Sequence, residues 1–140
     1  MNLCPPLKAT KRELKFMARE LLQDLKNESI CTHEDPASVR TVGCLIEMKD
    51  NLSDCELISI FGTYITEATN LDIHTLVTER LQAINQYLQS IQKLNASNLC
   101  KSEVKNCDVA FKESDGDYEK ICKVMSLLEF LTQWLSRVHC

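Results

Sequence analysis

The residues best equipped for chemistry are eight cysteines: Cys4, Cys31, Cys44, Cys55, Cys100, Cys107, Cys122 and Cys140. The number is even, the spacing is wide, and no C-x-x-C pair occurs. Zinc sites usually draw their ligands from such tight pairs, so this pattern predicts disulfides rather than a metal. Disulfides belong to an oxidising compartment, which makes secretion the expected destination. His33 lies two residues from Cys31, and His139 adjoins Cys140. Polar histidines beside disulfides account for both, and no metal is expected. The sequons at Asn27, Asn51 and Asn95 agree with an extracellular, glycosylated chain.

Catalytic patterns are missing from the sequence. It has no G-x-S-x-G, no phosphate-binding glycine loop, no H-E-x-x-H and no dinucleotide-binding glycine pattern. His33, His74 and His139 are scattered, and none adjoins a nucleophile. Asp115-Gly116-Asp117 lacks the regularly spaced oxygen ligands of a calcium loop and reads as a solvated turn. The expectation is a protein that is not an enzyme, needs no cofactor and acts through its surface.

The elements that carry these residues are helical. From Tyr118 to Cys140, apolar residues fall at Ile121, Val124, Met125, Leu128, Leu131, Leu135 and Val138. Steps of three and four make one stripe on a helix, which Phe130 and Trp134 widen. A helix this apolar needs partner helices to cover it. Residues 1–9, broken by Pro5-Pro6, read as an extended arm. Thr10-Lys11-Arg12-Glu13 is a capping-box pattern, so a first helix is expected from there to about Asn27. Its stripe is Leu14, Met17, Ala18, Leu21, Leu22 and Leu25.

Asp35-Pro36 is a helix start, with a second helix expected to about Lys49. Ser53-x-x-Glu56 opens a further helical segment carrying Leu57, Ile58, Phe61, Tyr64, Ile65 and Ala68. These two segments are one kinked helix or a helix with a short satellite. Asn70-Leu71-Asp72 ends that segment and caps the next. The third helix is expected over residues 73–94, with Ile73, Leu76, Val77, Leu81, Ile84, Leu88 and Ile91 inward. A long polar connection over residues 95–117 leads to the closing helix.

With only 3 Gly and 3 Pro in 140 residues, breakers are few, and an all-α chain of one domain spanning residues 1–140 follows. The net charge of −4 offers no basic surplus for a nucleic-acid backbone. No apolar run is long enough to span a bilayer, so membrane insertion is not expected. Met1-Asn2-Leu3-Cys4-Pro5 reads as a mature chain with a start methionine placed before it.

Four long amphipathic helices make a bundle. The long third connection is able to cross it end to end, giving an up-up-down-down path. The first crossover is taut. A helix of about 25 Å, at about 1.5 Å per residue, faces a 28–36 loop that reaches about 30 Å when extended. Eight cysteines allow roughly a hundred pairings. The layout permits Cys4 with Cys140, Cys31 with Cys55, Cys44 with Cys100, and Cys107 with Cys122, without selecting them.

Leu21-Leu22-Gln23-Asp24-Leu25, Cys44-Leu45-Ile46-Glu47 and Glu129-Phe130-Leu131-Thr132-Gln133-Trp134 look like interleukin-2, in the same order. The chain resembles the short-chain four-helix cytokines of the interleukin-2, -15, -4 and -13 group over nearly its whole length. The resemblance implies a disulfide-stapled, up-up-down-down four-helix bundle. It implies that Asp24, with Glu20 one turn before it, meets a beta-type receptor chain. An Asn of the family's third helix has a similar task, and Asn85 lies nearest to it. The end of the last helix meets the common gamma chain in that family, which implies contacts for Gln133, Arg137 and His139. This chain departs from interleukin-2 there, with His139 where that protein has Gln. Six cysteines fall in the order seen in interleukin-4. That order implies Cys4–Cys140, Cys31–Cys55 and Cys44–Cys100, with Cys107–Cys122 as an extra bond. The interleukin-4 acidic site on the first helix has no counterpart, because Phe16 occupies its place.

The expected function is that of a monomeric secreted cytokine, interleukin-2-like, which assembles cell-surface receptor chains to signal lymphocyte growth and immune response. One chain would be beta-type or alpha-type and another common-gamma-type. An interleukin-4/13-like cytokine is the alternative. A secreted helical carrier of an apolar ligand is more remote, since closely packed Leu and Ile leave no roomy pocket. A membrane-active bundle fits poorly with the acidic balance.

Overall fold

A computed structural model describes residues 4–28, 54–71, 73–94, 111 and 116–138. Among these residues the chain is all-helical, with four helices and no strand. Helix α1 spans Cys4–Glu28, α2 Asp54–Thr69, α3 Thr75–Leu94 and α4 Asp117–Arg137. The segment expected as a helix over residues 36–49 lies outside the described residues.

Helix α1 begins before the place the sequence suggested. Residues 4–9 are helical, not an extended arm, and Thr10 is no N-cap. The first four N–H groups of any helix lack intrahelical partners, and proline's fixed φ already suits a helix. Pro5 and Pro6 therefore sit in the first turn without breaking it. Glu13 is consequently interior to the helix and reaches sideways to Tyr87 rather than back to a cap.

Helix α2 starts directly after Ser53, where the second capping box placed its start, and runs without interruption through Gly62 and Thr63. The Thr66 hydroxyl donates to the Gly62 carbonyl at 2.7 Å. Helix α3 starts at Thr75, two residues later than the apolar period suggested. His74 is its N-cap. The His74 ring Nδ1 accepts the Leu76 N–H at 3.2 Å, and its carbonyl accepts from Val77 and Thr78. The expected cap is the Asn70–Asp72 stretch; Asn70 and Leu71 instead turn off the end of α2, their N–H groups donating to the Glu67 and Ala68 carbonyls, and Asp72 lies outside the described residues.

Helix α4 starts after Gly116, which is extended and has no side-chain cap, with Asp117 and Glu119 in the first turn. Two carboxylates there complement the positive end of the helix dipole. The helix ends at Arg137, and Val138 closes it by donating to the Trp134 carbonyl. Lys11 of α1 donates to the Val138 carbonyl at 2.8 Å, placing a cation at the negative helix end.

Helices α1 and α2 each pack against both α3 and α4. Among the described residues α1 and α2 lie across a diagonal, as do α3 and α4. The Lys11–Val138 and Lys26–Glu129 contacts run α1 and α4 in opposite directions. Glu13–Tyr87 and Asp24–Arg80 do the same for α1 and α3. Helix α2 packs back against α3, with Asn85 donating to Thr66.

One apolar core joins all four helices, including Leu14, Leu21, Phe61, Leu88, Leu128 and Leu131. Each such side chain contributes about 1.5–3 kcal/mol when fully buried. Phe61 of α2 stacks at a tilt on Phe130 and Trp134 of α4, with ring centroids 5.6 and 5.8 Å apart. Trp134 is thus core. Helix α4 is buried on every side from Cys122 to Leu128, Lys123 and Ser126 included. Leu76 departs from the expected core stripe and is 61% exposed. At about 100° per residue it points roughly 100° away from the line through Val77, Leu81, Ile84 and Leu88.

Candidate binding faces

Packing decides which polar residues of α1 stay in water. Its apolar stripe turns inward, Glu13 and Asp24 lie along the flank near α3, and Glu20 lies at the groove toward α4. The Asp24 carboxylate accepts from the Arg80 guanidinium at 2.6 Å, yet its side chain remains 60% exposed. Leu76 lies one helical turn before Arg80 on the same side of α3. A half-open charge pair one turn from an exposed leucine could offer a partner a directional polar group and some apolar area. Sequence reasoning missed Arg80 and Leu76. Their spacing of four residues, off the core stripe, was the available signal.

Glu20 is exposed and lines a second feature, an open groove of about 480 Å³ between α1 and α4. Phe16, Lys26, Glu129 and Gln133 also line it. Lys26 bridges the groove to Glu129 at 3.2 Å. The structure therefore brings Glu20 and Gln133 to one groove. Arg137 is exposed in the last turn of α4, and His139 lies outside the described residues.

Asn85 is placed elsewhere. Its amide nitrogen donates to Thr66 at 3.1 Å, on the α2 side of α3 and away from Asp24. Its carbonyl oxygen is buried without a hydrogen-bond partner among the described residues.

No protein-family model, no curated protein and no solved structure matches the chain.

Among the described residues no three His, Cys, Asp or Glu side chains gather as metal ligands, and no helix is long and apolar enough to cross a membrane. Cys122 is fully buried and disulfide-bonded. Its partner's side chain lies outside those described. So do the side chains of the expected pairs Cys4–Cys140, Cys31–Cys55 and Cys44–Cys100, and Cys107. Of the sequons, Asn27 is exposed in the last turn of α1, where its side-chain oxygen accepts from Gln23 at 3.1 Å. Asn51 and Asn95 lie outside the described residues.

Proposed function

We propose that this chain is a secreted, interleukin-2-like cytokine that assembles receptor chains on lymphocytes, one of them common-gamma-type, to signal growth and immune response. It acts by binding, not catalysis, as a disulfide-stapled and glycosylated monomer. Its path is up-up-down-down. Two helices antiparallel to α1, and a hairpin joining α2 to α3, support that path.

The observation that carries the reading is Asp24 held at the open rim of the α1–α3 seam. Arg80 holds its carboxylate, so a receptor group that shares or displaces Arg80 meets an ordered acceptor. Leu76 beside it supplies the apolar area that a charge pair alone lacks. Glu20, expected beside Asp24 on the first face, lines the α1–α4 groove with Gln133 instead, and we assign both to the face for the second chain.

The test is saturable binding of labelled protein to lymphocytes. Asp24→Lys is expected to abolish binding to the first chain while helicity and melting barely move. An exposed ion pair contributes only about 0–1 kcal/mol, so folding hardly depends on it. Full-strength binding by that variant would overturn the assignment.

A further inference from the structure

The solvent face of α1 carries a pattern unlike the rest of this acidic chain. Phe16 is 61% exposed. Arg12, Lys15 and Arg19 stand at −4, −1 and +3 from it, and all three share its surface groove with Tyr87 and with one carboxylate, Glu13. At about 100° per residue these positions fall on one outward arc, opposite the line through Leu14, Ala18, Leu21 and Leu25. No ion pair holds Arg12, Lys15 or Arg19 among the described residues. In contrast Glu13 is tied to Tyr87, and Lys26 to Glu129. The result is three free cations around a bare ring, on a chain of net charge −4.

We infer that Phe16, ringed by Arg12, Lys15 and Arg19, is the anchor for a protein partner with an acidic surface around an apolar recess. The inference rests on the receptor-assembly reading and names the chemistry of one receptor chain. The ring would fill the recess, and an aromatic anchor in a desolvated pocket carries a large share of binding energy. The cations would pair with carboxylates at the rim, speeding encounter and making it salt-dependent. A sulfated polysaccharide would answer to the cations but has no recess for the ring. That difference favours a protein.

The experiment measures saturable binding of the full chain to heparinase-treated lymphocytes for wild type, Phe16→Ala, Arg12→Glu/Arg19→Glu and Asp24→Lys. Melting curves and sedimentation accompany each protein. Phe16→Ala is expected to weaken binding about tenfold or more at an unchanged melting temperature, because the ring adds little to the core. Arg12→Glu/Arg19→Glu is expected to slow association about tenfold and flatten its salt dependence. If wild type binds, Asp24→Lys does not, and the Phe16 and Arg12/Arg19 variants bind like wild type, the Phe16 surface fails while the cytokine reading stands. If wild type shows no saturable binding even to untreated cells, both fall. Binding lost on heparinase treatment and indifferent to Phe16→Ala would identify a polysaccharide and overturn the inference. A dimer dissolved by Phe16→Ala would identify a second copy as the occupant, with the same consequence.

Discussion

Tyr87 and Glu13 show how single side chains lock α1 against α3. The phenol donates to the Glu13 carboxylate at 2.5 Å. That bond first, then the carboxylate's charge and some burial, raises the tyrosine pKa above its ordinary 10.0. A raised pKa means the folded state holds the proton more tightly. The stabilisation is therefore complete below the unfolded value and lost as pH climbs through the folded one. Ultraviolet titration is expected to place Tyr87 above the ordinary tyrosine range, identified by subtracting a Tyr87→Phe variant. Glu13→Gln removes the charge and should bring the midpoint back down. The L-L-x-D-L stretch singled out Asp24, and the structure places it exposed and paired with Arg80. Arg80 was not legible, because a contact 56 residues away depends on how two helices slide past one another. Asn85 was read from position alone, whereas its rotation about α3 turns it to Thr66.

At the scale of elements, the interiors of the helices and the start of α2 were legible, and the starts of α1 and α3 were not. Burial repeats every three or four residues, so many positions vote on one stripe. Leu14, Ala18, Leu81, Ile84, Leu128 and Leu131 all vote correctly. A helix start is decided by one or two residues, and the local signal can mislead. Pro5-Pro6 reads as a breaker in an extended arm but suits a first turn. His74 is absent from the usual capping types, so its ring acceptor went unforeseen, and Leu76 was drawn into the core with it. His74→Ala removes that acceptor. The expected loss is about 0.5–2 kcal/mol, the range for removing an N-cap side chain, measured by urea denaturation. Circular dichroism in the folded baseline should remain close to wild type.

For the whole molecule, periodicity and the shortage of glycine and proline predict an all-helical assembly, and the described residues form four helices and no strand. Which helix lies beside which was beyond periodicity, since a stripe says that a face is covered but not by what. The structure answers with one continuous core and with contacts such as Phe61 on Phe130 and Trp134. The disulfide frame is testable without coordinates. If all 8 cysteines are paired, intact mass should rise by eight hydrogens on full reduction. A smaller gain would leave free thiols and weaken the case for secretion. Loss of each bond is expected to destabilise the bundle by about 2–5 kcal/mol.

The Asp24–Arg80 pair changes what docking at that rim would consist of. An incoming guanidinium or ammonium would meet a carboxylate already neutralised and would have to displace or share its resident cation. Association there would be a substitution, with one salt link traded for another and Arg80 released toward solvent or toward an acid on the newcomer. A receptor with a single cation would gain little from the exchange. One that presents a cation and an anion side by side could satisfy both members of the pair, so selectivity would lie in matching the doublet.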